Sequence, residues 1–388
     1  MVAWLVALTW LYRVASGVRG LPTIQNLLLP AYDADPTGEP SITVIVPARN
    51  EAEGVRACLE SLLAQDYRNL KIIAVDDRST DATGAMMDSL VCERLQVLHI
   101  TELPPEWLGK THAMARAADI ASSDFLLFTD ADILFRSDAI RRALVSAVAT
   151  HADHLVVAPT TTIRRWDEAA LLAFFQMFGL WAARPWKVSD PEAVRDAIGI
   201  GAFNLLRASA YREIGGFAAL RMEIVEDLGI AQRIKIAGLA QRFVFGRGLV
   251  NVHWAAGVNG LVNVMTKNIF SAFRFHISLL LAGCAWLTLF CVMPFVAVWS
   301  APFTIPAGLV IACIGLTYIL LSPLSGLSAW NALLAPFAAA LFIYALLRSM
   351  VVTMAHGGVT WRGTFYPLAE LRRHSTPIIP RRRPAGRP

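Results

Sequence analysis

Residues 275–347 contain no Asp, Glu, Lys or Arg, a run of 73 positions. A soluble domain of that length carries charge on its outer faces, so this stretch needs an apolar solvent. Its prolines and small residues divide it into segments 277–299, 303–321 and 331–355, with Arg348 inside the far end of the last. Each has about 20 residues, enough to cross a ~30 Å hydrocarbon core as a helix. Two spans would leave about 30 uncharged residues without a place. The whole chain of 388 residues is 55% hydrophobic and 17% charged, which excludes a purely soluble protein and a disordered one.

Charge returns after the block. Residues 356–388 hold seven Arg and one Glu, net +6, against +5 for the whole chain, so residues 1–355 sum to −1. A basic tail beside a hydrophobic block points to the bilayer as a partner and not to nucleic acid. At the other end, residues 1–12 are uncharged and span about 18 Å as a helix. Extension to Val18 gives about 27 Å, provided Arg13 snorkels. A cleaved signal peptide is the rival reading, but a basic n-region and an A-x-A site are both missing, so residues 1–18 are read as an anchor. Residues 19–40, with Pro22, Pro30, Pro36 and Pro40, read as a linker. Cys58, Cys92, Cys284, Cys291 and Cys313 show no C-x-x-C spacing, which excludes a zinc site or disulfide framework and fits reduced thiols.

Between anchor and block lies an alternating pattern. Residues 41–47 and 70–76 are apolar and β-branched, and residues 51–65 between them place Val55, Leu59, Leu62 and Leu63 on one helical face. Further strands are expected at 95–100, 125–128 and 154–158. Continuous apolar strands alternating with helices predict an α/β domain, a mostly parallel sheet covered on both faces, over residues 41–250. Residues 251–276 then form a juxtamembrane segment, 277–355 the membrane block and 356–388 the tail.

Acidic residues collect just past the strand ends, where open parallel sheets bind ligands. Asp76-Asp77 follows the second strand and Asp130-Ala131-Asp132 the fourth. Two carboxylates in a D-x-D can share a hard divalent cation, and such a cation can bridge a diphosphate. The same acids alone in a turn would be merely solvated. Around them stand Val46-Pro47-Ala48-Arg49-Asn50-Glu51, Trp107-Leu108-Gly109-Lys110, Gly199-Ile200-Gly201 with Asn204, Gly215-Gly216-Phe217, and Val225-Glu226-Asp227 opening a helix that carries Gln232 and Arg233.

This order resembles the family 2 inverting glycosyltransferases of the GT-A (Rossmann-like) fold, over residues 41–242. Within that family the chain is similar to the membrane-bound, lipid-directed branch, above all the hopanoid-associated glycosyltransferases; carotenoid-acid and ceramide glycosyltransferases are more distant in appearance. The motif Gly357-Gly358-Val359-Thr360-Trp361-Arg362-Gly363-Thr364-Phe365-Tyr366 extends the likeness nearly to the end. The resemblance implies that Pro47, Ala48, Arg49 and Glu51 line the nucleotide pocket, and that Asp76 and Asp77 bond base and ribose. It places Lys110 near the diphosphate, and Mg²⁺ or Mn²⁺ on Asp130 and Asp132, with Asp130 also on the nucleotide sugar. Asp227 is then the base that takes the acceptor's proton, and Glu226 orients it. Read without the family, Lys110 is a helix-start lysine and Glu226-Asp227 a pair complementing a helix dipole.

Many membrane members of the family carry Q-x-x-R-W on the acceptor side. Here Lys267-Asn268 stands in the corresponding stretch, which argues against processive polymer synthesis; Gln232, Arg233 and Lys267 are the acceptor-side or diphosphate-side candidates. His253-Trp254 is either a sugar-stacking pair or ordinary packing. Residues 171–186, rich in Phe and Trp, form either an interfacial helix that guides the acceptor or a core helix under the sheet.

The implied enzyme moves a sugar from a nucleotide diphosphate sugar, a UDP-sugar, to a membrane lipid hydroxyl with inversion. It works from the inner membrane with its catalytic domain in the cytoplasm. Two alternatives stay open: a polyprenyl-phosphate glycosyltransferase, and a non-catalytic GT-A-like scaffold. Topology is open too. Three spans put the tail opposite a cytoplasmic catalytic domain, whereas the arginines argue for the same side. The segment 303–321, with Pro302 and Pro306 at its start, is the least suited to span.

Overall fold

A computed structural model describes residues 1–375. Arg381, Arg382, Arg383 and Arg387 of the basic tail lie outside the described residues. The chain divides into two compact units. One holds Gln25–Thr160 and Lys187–His253; the other holds Met1–Ile24, Thr161–Trp186 and Trp254–Arg372.

The first unit is built on a seven-stranded sheet of β1 (Ile42–Ala48), β2 (Leu70–Asp77), β3 (Leu95–Ile100), β4 (Phe125–Phe128), β5 (His154–Val157), β6 (Asn204–Arg207) and β7 (Gln241–Val244). Their order is β3-β2-β1-β4-β6-β5-β7. Every pairing is parallel except those of β6, which runs antiparallel to both β4 and β5. All seven residues of β1 are buried. The pleat explains why the strands are apolar throughout. Val44, Val46, Ile72, Ala74 and Leu127 enter one core, and Ile45, Ile73, Val75, Leu126 and Phe128 enter another on the opposite face.

The loops after β1 and β2 are fastened together. Asn50 and Arg78, just past these strands, both take left-handed backbone, with φ of 55° and 57°. The Asn50 amide N–H donates to Ser79 Oγ at 3.1 Å, and the Thr80 N–H donates to Asn50 Oδ1 at 2.8 Å. A side-chain amide in this position mimics a turn, which is why Asn tolerates it.

The second unit is helical. Among the described residues, three helical stretches are long and apolar enough to cross a membrane: Ile277–Ala297, Thr304–Ser325 and Ala329–His356. Pro294 sits inside the first. A proline cannot bond the carbonyl four residues back and pushes against it. The helix widens into a π turn over Thr288–Val292, and the Phe290 carbonyl instead accepts the Trp10 indole N–H at 3.0 Å. Trp10 belongs to the N-terminal helix Val2–Gly20. A β-carbon on Gly20 would run into the Trp186 indole, so only glycine fits there.

The aromatic helix Trp166–Ala182 clusters with these helices, although the sequence reading placed it inside the continuous domain 41–250. Phe174, Phe175 and Phe178 pack on Phe342, and Trp181 meets Trp10 and Trp286 with centroids 4.8 and 4.9 Å apart. Such a helix, apolar on nearly every side, buries its rings only among other apolar helices. Beyond His356, Gly358–Trp361 and Thr364–Pro367 form an antiparallel hairpin. Arg362 and Gly363 make its two-residue turn, both with positive φ, as tight hairpins require.

Candidate active site

Three elements bring acidic and basic groups to one edge of the sheet. Asp130 and Asp132 follow β4. Lys110 lies in the first turn of the helix Gly109–Ile120, and Glu226 and Asp227 open the helix Glu226–Ala237. Lys110 Nζ stands 2.5 Å from Asp130 Oδ1 and 2.6 Å from Glu226 Oε1. One ammonium therefore joins the D-x-D to the E-D pair. Burial opposes its charge, yet Asp130 and Glu226 together hold it protonated above its ordinary range.

The neighbouring carboxyls move the other way. Burial, followed by the Glu226 charge, pushes Asp227 up to about 7, while Lys110 pulls it down. Burial, followed by Asp130, pushes Asp132 up to about 6, with Lys110 and His253 opposing. Lys110, Asp130, Gly201, Asn204, Glu226 and Asp227 line a common crevice. The loop before β6 supplies its glycine wall. A β-carbon on Gly201 would lie 2.7 Å from Asp130 Oδ2, and one on Gly199 would overlap the Asp227 carbonyl.

Beneath that loop is a buried polar relay that carries no sequence motif. The Gln241 side-chain amide N–H groups donate to the Ile198 carbonyl at 2.7 Å and to His154 Nδ1 at 2.9 Å. His154 Nε2 bonds Asn204 Oδ1 at 3.0 Å, and Asn204 Nδ2 donates to the Ile200 carbonyl at 2.7 Å. This pattern assigns the proton of neutral His154 to Nε2. Burial lowers the imidazole to about 4. The relay thus holds the carbonyls that flank Gly199, and so the wall of the crevice.

On the expected nucleotide side, Pro47 and Ala48 end β1 opposite Val75 and Asp76. The Glu51 amide N–H donates to Thr83 Oγ1 at 2.8 Å. Asp76 accepts from the Ser79 N–H at 3.1 Å and pairs with His99 Nδ1 at 3.1 Å. His99 also bonds Asp88 at 2.9 Å, and Asp88 and Asp76 together raise its pKa. Asp77 lies at the end of β2 beside Asp76. It is buried, and Arg78 clasps both its oxygens, at 2.8 and 3.0 Å, because the left-handed turn at Arg78 folds the guanidinium back.

Two further candidates, Gln232 and Arg233, lie on the helix Glu226–Ala237. Arg233 donates to the carbonyls of Ile214 and Ala219 at 3.2 and 3.1 Å, which ties the Gly215-Gly216 turn to its helix; neither it nor Gln232 lines the crevice. Lys267 belongs to the apolar unit, on the helix Gly257–Ala272, with Nζ 4.1 Å from the Trp361 ring centre. Trp254 likewise packs on Phe175, centroids 5.0 Å apart, as an ordinary aromatic contact.

Asp130 and Asp132 fit a hard divalent cation in part. They offer carboxylate oxygens two residues apart, and their mutual repulsion, part of what raises Asp132, is what a cation relieves. No cluster of three or more His, Cys, Asp or Glu suited to a metal occurs among the described residues. An ion needing about six oxygens would therefore take several from a bound diphosphate or water.

Comparison with known proteins agrees with this geometry. Residues 43–229 match the model of the family described as Glycosyl transferase family 2. The chain is 24% identical to a 4,4'-diaponeurosporenoate glycosyltransferase of Staphylococcus haemolyticus, over 62% of this chain and 64% of that protein. It is 31% identical to the glycosyltransferase GlyA of Streptococcus pneumoniae, over 29% of this chain and 16% of that protein. The chain thus spans less than two thirds of the length of these relatives. Among solved structures, the mannosyltransferase PcManGT from Pyrobaculum calidifontis, in complex with GDP-Man and Mn²⁺, has a similar fold. Its TM-score is 0.51 at 17% identity, covering 91% of this chain and 99% of that one. Residues 43–229 are thus similar to the glycosyltransferases of family 2, and the chain has a GT-A-like α/β fold with a mostly parallel sheet.

Proposed function

We propose that the chain is an inverting glycosyltransferase that moves a sugar from a nucleotide diphosphate sugar, a UDP-sugar, to the hydroxyl of a membrane lipid. The observation that carries this reading is the Lys110 bridge between Asp130 and Glu226, with the Asp227 carboxyl raised beside it. Inversion needs a base on the acceptor side and positive charge on the leaving-group side of the same centre. Asp227 takes the proton of the acceptor hydroxyl while its oxygen bonds the anomeric carbon. The bond from that carbon to the diphosphate breaks on the opposite face. A carboxyl titrating near 7 is matched to this task at neutral pH. Glu226 holds Lys110, and Lys110 meets the charge that develops on the diphosphate oxygen. Asp130 and Asp132 would hold Mg²⁺ or Mn²⁺, which when bound neutralises diphosphate charge; Mn²⁺ accompanies GDP-Man in PcManGT. Pro47, Ala48, Arg49, Glu51 and Asp76 border the nucleoside, with Asp77 acting through Arg78.

The lipid acceptor rests on the three apolar helices and on the relative named for 4,4'-diaponeurosporenoate. The likeness of the motifs to the hopanoid-associated branch favours a hopanoid. Nucleotide sugars are cytosolic, so the catalytic domain, residues 41–250, faces the cytoplasm from the inner membrane. Residues 1–18 and 277–355 hold it there. The test is incubation of membranes with radiolabelled UDP-glucose, UDP-galactose and UDP-N-acetylglucosamine, followed by organic extraction. Label in a discrete lipid that disappears with Asp227→Asn supports the reading. Label confined to water-soluble glycan or insoluble polymer overturns it.

A further inference from the structure

The two ends of the apolar block meet. Arg372 Nη2, beyond the block, donates to the carbonyl of Phe275, just before it, at 3.0 Å. Trp361 of the hairpin lies under Lys267 of the preceding helix. Ser349, near the end of the last apolar helix, donates to the Thr266 carbonyl at 2.6 Å and accepts from the Phe270 N–H at 3.1 Å. The helix Gly257–Ala272 has 16 residues, about 24 Å, too short to cross a ~30 Å core. The chain therefore leaves one membrane face at Phe275 and is back at that face by Trp361.

The charge of this region gathers at the same place. From residue 254 to residue 372 the ionised side chains are Lys267, Arg274, Arg348, Arg362, Arg372 and one acid, Glu370. The five cations belong to the segments that meet, while the stretch between them is uncharged. The hairpin starts two residues past the end of the last apolar helix, so its short strands begin in the headgroup layer. It has the composition of an interfacial element. Arg362 is exposed at the tip, Phe365 is 49% exposed on one face, and Val359 and Tyr366 are buried on the other.

We propose that this hairpin, with Arg362 exposed at its tip and Lys267 against Trp361, is a docking surface for anionic phospholipid headgroups, on the face where the apolar block both starts and ends. A chain that leaves a face and returns to it crosses an even number of times. The helix Ile277–Ala297 and one of the other two cross, and the remaining one lies along the membrane. The described part of the tail then emerges on the face from which the block departs, as its arginines require.

Two measurements on the full-length protein test this. In a Cys92→Ser parent, which removes the exposed thiol, Asn259→Cys, Arg362→Cys and Ser300→Cys are labelled with an impermeant maleimide. Sealed vesicles of both orientations are used, and labelling in detergent gives the total for each site. Asn259→Cys and Arg362→Cys are expected to label in the same vesicles, and Ser300→Cys in the opposite ones. Thr360→Cys replaces Arg362→Cys if the tip does not react in detergent. A hairpin thiol that labels with Ser300→Cys overturns the proposal. In the second measurement, protein reconstituted in equal parts phosphatidylcholine and phosphatidylglycerol is re-extracted, and its retained lipid is measured by mass spectrometry. Phosphatidylglycerol should be enriched, Arg362→Ala should reduce the enrichment by about fivefold, and Arg362→Lys should restore it. Equal retention of the two lipids, or enrichment unaltered in Arg362→Ala, overturns it.

Discussion

Acid should loosen the active-site wall through His154. Its imidazole is fully buried, with Gln241 donating to Nδ1 and Asn204 accepting from Nε2. A second proton on Nδ1 would face the Gln241 amide N–H with no acceptor, so burial and geometry both oppose the charged form. The folded pKa of about 4 lies below the unfolded value of 6.5. A depressed histidine contributes no penalty above the unfolded pKa. As pH falls from 6.5, the unfolded chain binds a proton that the folded one refuses, and stability drops until pH passes the folded value. The linkage relation gives a loss of roughly 1 kcal/mol at pH 5.5, rising to roughly 3 kcal/mol at the limit. For a unit of this size the first figure corresponds to a fall of roughly 3–6 °C in melting temperature. The assay is thermal unfolding of detergent-solubilised protein between pH 7.5 and 4.5, wild type against His154→Gln, which keeps an amide in place but cannot titrate. The variant should be the less stable at pH 7.5, and its disadvantage should shrink by these amounts toward pH 4.5. Parallel pH profiles, or a His154 resonance titrating near 6.5, would refute the argument.

Three other outcomes follow from the crevice. Asp227→Asn should lower turnover by about 10²–10⁴-fold with nucleotide affinity retained, and the wild-type rate should rise with pH through about 7 as the carboxyl loses its proton; single-turnover assays with titration calorimetry check both. Asp132→Ala should abolish turnover and weaken nucleotide binding roughly tenfold or more, with an unaltered circular dichroism spectrum because the residue lies in a loop past a strand; full activity in excess chelator contradicts it. Gly201→Ala should displace the Asp130 carboxylate, whose oxygen would lie 2.7 Å from the new methyl group, and lower kcat more than stability, as paired kinetics and melting curves will show.

The strands that could be read from sequence are the ones dominated by aliphatic residues. β1, β2, β3, β4 and β5 are apolar runs bounded by polar loops, and their expected and observed limits differ by a residue or so. β6 and β7 were not foreseen. Each has four residues and begins with a buried amide, Asn204 or Gln241, which alternation rules read as loop. The acids of the crevice were legible because a carboxylate just past an apolar strand is conspicuous. Nothing local specified that Lys110 would hold both Asp130 and Glu226. The Asp77–Arg78 clasp depends on one positive φ, and the His154–Asn204–Gln241 relay on residues far apart in the chain. Neither has a signature in composition or spacing. The glycines at 199 and 201 were visible as a motif, but their reason, the closeness of Asp227 and Asp130, is a fact of three dimensions.

The reversed strand has a consequence for how such a protein can change. Six strands point their ends at the reactive edge, so most of what meets a ligand there is delivered by loops that follow a strand. β6 points its beginning there: Asn204 pairs with Phe128, the last residue of β4, and the Gly199–Gly201 wall arrives by the loop that precedes it. That loop comes from a separate stretch of chain, entered at Lys187 from the apolar helices. Its length and residues can therefore be exchanged without altering any strand-following loop on the nucleotide side. A graft of residues 187–203 between relatives is the natural unit for altering one substrate preference while leaving the other half of the reaction intact.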